Sequence, residues 1–434
     1  MRFSTGFRKY FSNTGWLFID KFSKTLITLI VSIFVARYLG PDNYGILNFT
    51  LSFVALFSVF STLGLDAIIV RELVSEPSKR DELLGAGFLL RLSGSFLSIG
   101  LIFLVIRIME IDPAINVFIY IVAFSALFQS LNVIDFYFRA KVISKYAVYV
   151  RIFSVTFSAV LKLLLILWKK DLIYFVGAIF IENILMAAGF AAAYAAQKLK
   201  VTDWKVNMAT SIKLLSDSWP LIFSGLAIAV YMRVDQVMLN AYLGAKAVGI
   251  YAVAARISEG WYFIPIIIAR SVFPAIVESK QKGKYLYDLR MEQLYSLMVW
   301  TALFIAFPVT FLSPVIIRAL YGAQYIESVL VLKIHIWAGI FAFLGVALSK
   351  YLVTENLTKI NFLITVVGMI TNVILNIFLI PRYGVKGAAI ATVVSYFMAV
   401  FAALFIPKSK HQVMLMARSF FVYRAIRAEN EWIS

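Results

Sequence analysis

The sequence predicts an all-α polytopic membrane protein, with twelve transmembrane helices in two six-helix lobes related as parallel repeats. Three observations predict it. Of the 434 residues, 62% are hydrophobic and 15% charged, with a mean hydropathy of +0.88; soluble chains run near ~45–50% apolar and ~25% charged. The apolar residues gather into twelve runs, each close to the ~20 residues that cross the hydrocarbon at ~1.5 Å rise per residue. A turn is also written twice: Tyr38-Leu39-Gly40 with Gly45 returns 204 positions later as Tyr242-Leu243-Gly244 with Gly249, and Ser75 falls on Ser279 at the same offset.

The first run, 16–38, follows Arg2, Arg8 and Lys9 and so imitates a signal peptide. Asp20, Lys21 and Lys24 spoil its apolar centre and no small-residue cleavage site stands out, so it reads as a retained span. The remaining runs are 44–64, 84–105, 114–137, 152–168, 172–195, 218–240, 250–274, 294–312, 329–351, 360–380 and 385–406. Connections are short, and none is long enough to fold as a separate domain. The expected layout is an N-terminal lobe at 1–197, a cytoplasmic linker at 198–217, a C-terminal lobe at 218–406 and a basic cytoplasmic tail at 407–434. In the tail, Arg418, Phe420, Phe421, Tyr423, Arg424 and Arg427 read either as a basic amphipathic helix on anionic lipid or as a frayed end.

Lys and Arg counts orient the spans. With the N-terminus cytoplasmic, 25 of the 41 fall in cytoplasmic segments and 8 on the opposite side, so both termini are expected in the cytoplasm. Six spans separate the two copies of the turn, and an even number preserves orientation; the lobes are therefore expected as parallel repeats about an axis along the membrane normal.

The net charge of +18 is spread over many short loops, which argues topology and not nucleic-acid binding. With no Cys, disulfides, thiolate metal sites and Cys nucleophiles are excluded, and two His (His335, His411) make a poor zinc set. No nucleophile elbow, phosphate-binding glycine loop or acidic cluster for a divalent ion is present, so an enzyme is not expected.

Candidate functional residues are the charges inside apolar runs, which face a bundle interior or an aqueous cavity by default. Span one holds Asp20, Lys21 and Lys24, with Asp20 and Lys24 spaced to pair at i, i+4. Span three holds Arg91, and span four holds Gln129, Asn132 and Asp135 along one stripe. Lys24, Arg91 and Asp135 have snorkelling as the alternative. On a continuous helix, Arg256, Gly260, Phe263, Ile267 and Arg270 share one face of span eight, with Glu259 beside it and Pro265 placed to kink it. Span seven adds Arg233 and Asp235. Lys21, Lys24, Arg91, Arg233, Arg256 and Arg270 are the candidate anion-binding residues, suited to a phosphate-bearing cargo, with interlobe salt bridging as the alternative. Asp235, then Glu259 and Asp20, are the candidates for coupling to a proton or sodium ion; no other cofactor is expected. Lys162 and Glu182 read as a structural ion pair, His335 as a packing residue, and Asn372 with Asn376 as interhelical hydrogen-bond glue.

Several motifs together resemble one family. They are Trp16 with Lys21, Ala36-Arg37-Tyr38-Leu39-Gly40-Pro41, Tyr44-Gly45, Leu63-Gly64-Leu65-Asp66 and Arg71-Glu72-Leu73 in the first half. In the second half they are Asp235-Gln236-Val237-Met238-Leu239, Val248-Gly249-Ile250-Tyr251, Ala254-Ala255-Arg256-Ile257-Ser258-Glu259, Phe263-Ile264-Pro265, Phe273-Pro274 and Tyr383-Gly384-Val385-Lys386-Gly387-Ala388. Their order and spacing resemble polysaccharide-biosynthesis flippases of the Wzx type, in the multidrug/oligosaccharidyl-lipid/polysaccharide exporter (MOP) superfamily. That resemblance implies a MATE-like pair of six-helix lobes around a cationic cavity. It also implies an undecaprenyl-pyrophosphate-linked oligosaccharide, such as an O-antigen repeat unit, moved to the periplasmic leaflet of a bacterial inner membrane for lipopolysaccharide assembly. Polymerase and chain-length proteins of the glycan pathway would be partners, besides membrane lipids. Two other readings compete. A drug/cation antiporter of the same superfamily would favour carboxylates over the arginines found here, and a polytopic glycan polymerase or ligase would carry a large outward loop, which the sequence lacks.

Overall fold

The computed structural model of the chain describes residues 5–420, with side chains from residue 13 onward except residue 14. Phe421, Tyr423, Arg424, Arg427, Arg2 and the side chains of Arg8 and Lys9 therefore lie outside the described residues. Within them the chain is helical, with no strand. A chain in hydrocarbon must satisfy each N–H and C=O within its own segment, and a long apolar helix does so.

The first helix, α1 (Thr5–Thr62), holds two spans joined at Gly40, whose backbone (φ 71°, ψ 173°) leaves the helix before Pro41 restarts it. Pro suits a first helical position because its missing N–H has no partner to lose there. Then come α2 (Leu65–Ser75), α3 (Arg80–Met109), α4 (Pro113–Gln129), α5 (Val133–Ala140), α6 (Lys145–Leu167) and α7 (Leu172–Ala196). The second half is built from α8 (Met208–Leu243), α9 (Ala245–Glu259), α10 (Phe263–Lys282), α11 (Lys284–Tyr321) and α12 (Ser328–His335), followed by α13 (Ala338–Thr354), α14 (Thr358–Tyr383), α15 (Val385–Phe401) and α16 (Lys410–Arg418). Among the described residues eleven segments are long and apolar enough to cross a membrane, and the first of them, Gly15–Ser75, contains the two spans that meet at Gly40. The twelve expected spans are all present.

The repeated turn is repeated in backbone as well as in sequence. Gly244, between α8 and α9, has φ 80° and ψ 179°, close to the values at Gly40. Only glycine reaches this region without strain, which explains why both copies keep it.

Two compact units divide the chain at residue 233, so the boundary falls inside α8. In unit 1 the core gathers Leu65, Ile69, Leu84, Val133, Phe138, Phe190 and Tyr194. The stretch expected as a linker is bound down within this unit. The Lys205 amide donates to the Asp81 carbonyl at 3.1 Å, and the Trp204 indole packs on Phe88 and donates to the Tyr194 hydroxyl at 3.3 Å. In unit 2 the core gathers Met291, Tyr295, Met298, Phe343, Leu344 and Leu348. Here α16 packs on α11 through Val413, Leu415 and Met416, with Gln412 accepting from the Tyr295 hydroxyl at 3.0 Å. The first part of the tail is thus docked on the protein. Phenylalanines such as Phe103 and Phe304 are exposed, as lipid-facing positions require.

Four spans are broken, and the breaks place polar side chains. They fall at Leu63-Gly64, at the 3-10 turn Ser130–Asn132, at 260–262 and at 336–337. The kink expected at Pro265 lies one turn earlier: α9 ends at Glu259 and α10 begins at Phe263, leaving Pro265 in the first turn of a new helix, where it is tolerated. Span eight is therefore two helices, and the continuous face predicted to carry both Arg256 and Arg270 does not exist as such.

Candidate functional site

In unit 1 the in-span charges are arranged as ion pairs. The Asp135 carboxylate, 2% exposed, lies 2.5 Å from both Arg139 and Arg151, and Arg151 also reaches Asp20 at 2.7 Å. Arg91 is equally buried, with its guanidinium 3.0 Å from Asp66 and 5.3 Å from the centre of the Phe136 ring. Desolvating a lone charge is expensive, and each of these buried charges has an opposite one against it. Asp20 therefore pairs with Arg151 of α6 and not with Lys24, its i, i+4 neighbour. Neither Arg91 nor Asp135 snorkels. Lys21 and Lys24, by contrast, are exposed and form no ion pair among the described residues.

Unit 2 treats its buried charge differently. Asp235, on α8, is 3% exposed and is surrounded by neutral groups. It accepts from the Tyr251 and Thr392 hydroxyls, each at 2.7 Å, and from the Asn376 amide at 2.5 Å. Asn376 also donates to Asn372 at 3.0 Å, and Asn372 donates to Ser395 at 3.3 Å. Four helices, α8, α9, α14 and α15, thus converge on one carboxylate, with no cation beside it among the described residues. The carbonyl oxygen of Asn376 is buried with no hydrogen-bond partner. A carboxylate held by two hydroxyl donors and an amide N–H keeps its negative charge without a paired cation, and that charge is open to cancellation by a proton or a small cation.

The other predicted residues are placed as follows. Arg233 is half-buried at the end of unit 1. Arg256 and Glu259 are partly buried at the end of α9, and each already interacts with a neighbour. Arg270 is exposed on α10 and lies within electrostatic reach of Lys350 on α13, whose ammonium sits 5.3 Å from the Phe273 ring centre. Lys162 and Glu182 form the expected ion pair at 3.6 Å. His335 is a buried packing residue, edge-on to Tyr251 with ring centres 5.6 Å apart, though its Nδ1 has no hydrogen-bond partner. Sequence reasoning missed Tyr251 and Thr392 as partners of Asp235, and it assigned Asn372 and Asn376 to helix packing alone. The one available signal was the pair of amides at i, i+4 in an otherwise apolar run.

Known proteins agree with this architecture. The chain matches a polysaccharide biosynthesis protein family over residues 11–280 and the MatE family over 220–378. It is 31% identical to the probable flippase AglR of Haloferax volcanii over 41% of this chain and 38% of that one. With the capsular polysaccharide biosynthesis protein CapF of Staphylococcus aureus the identity is 20%, over 89% of this chain and 96% of CapF. An uncharacterized membrane protein of Methanocaldococcus jannaschii is 24% identical over 55% of this chain and 57% of its own length. The chain thus spans only about half or less of two of these three relatives. The inward closed structure of the lipid II flippase MurJ superposes with a TM-score of 0.72 at 18% identity, over 95% of this chain and 92% of MurJ, which shows the fold. The twelve spans, the duplicated turn and the family match over most of the chain have one conclusion: this protein belongs to the polysaccharide biosynthesis protein family, in the MOP superfamily of flippases and transporters.

Proposed function

We propose that the chain flips a lipid-pyrophosphate-linked oligosaccharide from the cytoplasmic to the outer leaflet of a bacterial inner membrane by alternating access. Undecaprenyl is the lipid expected, an O-antigen-type repeat unit the glycan, and both termini are cytoplasmic. The observation that carries this reading is the sorting of cations. The carboxylates in unit 1 spans are matched by Arg91, Arg139 and Arg151, yet Lys21 and Lys24 remain exposed without an ion pair among the described residues, as does Arg270 in unit 2. Unmatched cations in membrane-spanning helices suit a cargo that brings its own negative charge, and pyrophosphate does.

Coupling is assigned to Asp235. The carboxylate would hold a sodium ion or a proton, and occupancy would change the charge that α8, α9, α14 and α15 share. A glycan polymerase and a chain-length protein are the expected functional partners.

The test is glycan export in a deletion strain. Lys21→Ala with Lys24→Ala should lower the export rate without lowering the amount of folded protein, and Asp235→Asn should leave export indifferent to collapse of the proton or sodium gradient. Wild-type export in the double lysine variant would overturn the cargo assignment. A gradient response preserved in the Asp235 variant would overturn the coupling assignment. The MatE match over 220–378 favours one alternative, a drug/cation antiporter, which protection of a drug-sensitised strain by the wild-type protein would support.

A further inference from the structure

Unit 1 carries a cavity of about 540 Å³ at the Gly40 end of its spans, lined by none of its ion-paired residues. The volume lies within the ~300–1,000 Å³ of small-molecule sites. Its polar lining is Tyr38, Asn43, Lys170 and Asp171. Val117 and Ile173, both exposed, supply an apolar wall.

The backbone holds the charged pair in place. After α6 the chain turns through Lys169 at φ 51°; the Lys170 amide donates to the Leu165 carbonyl at 3.0 Å and the Lys169 amide to Ile166 at 3.1 Å. This is a Schellman closure, built here without the usual glycine. The Tyr38 hydroxyl donates to the Lys170 carbonyl at 3.0 Å while its ring packs 5.7 Å from Phe175, so the tyrosine is fixed as a wall. The Lys170 ammonium sits 5.4 Å from the Tyr174 ring centre.

Asp171 precedes α7 at the capping position but makes no capping hydrogen bond, whereas Asp112, in the same position before α4, accepts from the Ala114 amide at 2.9 Å. Its carboxylate, like the Lys170 ammonium, is exposed at the cavity mouth. Neither Lys170 nor Asp171 forms an ion pair among the described residues.

The geometry points to a binding site for a phospholipid with a zwitterionic headgroup, Lys170 taking the phosphate, Asp171 and Asn43 the ammonium, and the Val117–Ile173 wall the start of an acyl chain. A neutral sugar would leave both charges unmatched. A purely anionic headgroup would meet the Asp171 carboxylate. Placing the site in the outer leaflet rests on the orientation proposed above; the site itself does not.

The experiment is native mass spectrometry of the full-length protein released from nanodiscs of equal phosphatidylethanolamine and phosphatidylglycerol. The wild type should retain phosphatidylethanolamine preferentially. Lys170→Glu should cut that retention about ten-fold, the loss of one charge-assisted contact, and Asp171→Asn should remove the preference over phosphatidylglycerol. Circular dichroism of each variant checks that it is folded. Equal retention of the two lipids by the wild type, or unchanged retention in folded Lys170→Glu, overturns the proposal. So does displacement of phosphatidylethanolamine by added polyprenyl pyrophosphate, which would make this a cargo site. Export by Lys170→Glu at the wild-type rate would leave the flippase reading intact whichever way the lipid result falls.

Discussion

Gly40 and Gly244 turn the chain with the same backbone angles, yet the polar interiors of the two units are of different kinds. Unit 1 sets carboxylate against guanidinium: Asp66 with Arg91, Asp135 with Arg139 and Arg151, Asp20 with Arg151. Unit 2 sets a carboxylate among hydroxyls and amides. At the 204-residue offset, Asp235 falls on Val31 and Tyr251 on Leu47, so the duplication carried over the turn and not this polar chemistry. The difference is physical. An ion pair is neutral as a whole and has no further charge to satisfy. A carboxylate solvated by neutral dipoles keeps a negative charge that a cation or proton can still cancel.

Charge removal should separate the two arrangements most widely. Asp135→Ala removes the buried carboxylate shared by Arg139 and Arg151, leaving Arg151 only Asp20, and should cost about 3 kcal/mol, read as a large fall in melting temperature by fluorescence-detected size exclusion. Asp235→Asn in unit 2 should shift melting by far less in ion-free buffer and abolish any stabilisation by sodium or acid. Comparable destabilisation by the two substitutions would mean that Asp235 is a structural charge like Asp135. The turns should behave alike instead. Gly40→Ala and Gly244→Ala each force a side chain into a glycine-only region, at about 1–3 kcal/mol, and unequal losses in the same assay would break their equivalence. The smallest effect is expected from Tyr251→Phe, which removes one donor from Asp235 at about 0.5–1.5 kcal/mol and should alter the ion concentration at half-maximal stabilisation. No change in that concentration would take Tyr251 out of the site.

The frame was legible in the sequence because its causes are local. Apolar runs of bilayer length mark spans, and a glycine that must adopt positive φ marks a turn wherever it recurs. Lys162 and Glu182 were also legible, being at matching depth in adjacent antiparallel spans. The ion pairs of unit 1 were not. Arg151 sits in the first turns of α6, just outside the apolar run at 152–168 and 131 residues from Asp20. The Asp235 cluster was half legible: a carboxylate in an apolar run stands out, but Asn376 and Thr392 lie 141 and 157 residues away, and a hydroxyl or amide in a helix announces nothing. Pro265 signalled a break in span eight but not its position, because a proline in a first helical turn disturbs the residues before it.

The clasp formed by Trp204 and Lys205 changes what the stretch after α7 means. A β-carbon on Gly85 would meet the Lys205 carbonyl oxygen at 2.3 Å, so that segment lies flat against α3. Farther along, Lys213 reaches Glu72 at 3.0 Å and Arg71 reaches Asp217 at 2.5 Å. A polymer chemist given the sequence would assign these residues a random-coil contour and a root-mean-square reach. In the folded protein they have almost no slack, because their length is taken up on the surface of unit 1. Insertions there would loosen a seam and not lengthen a tether.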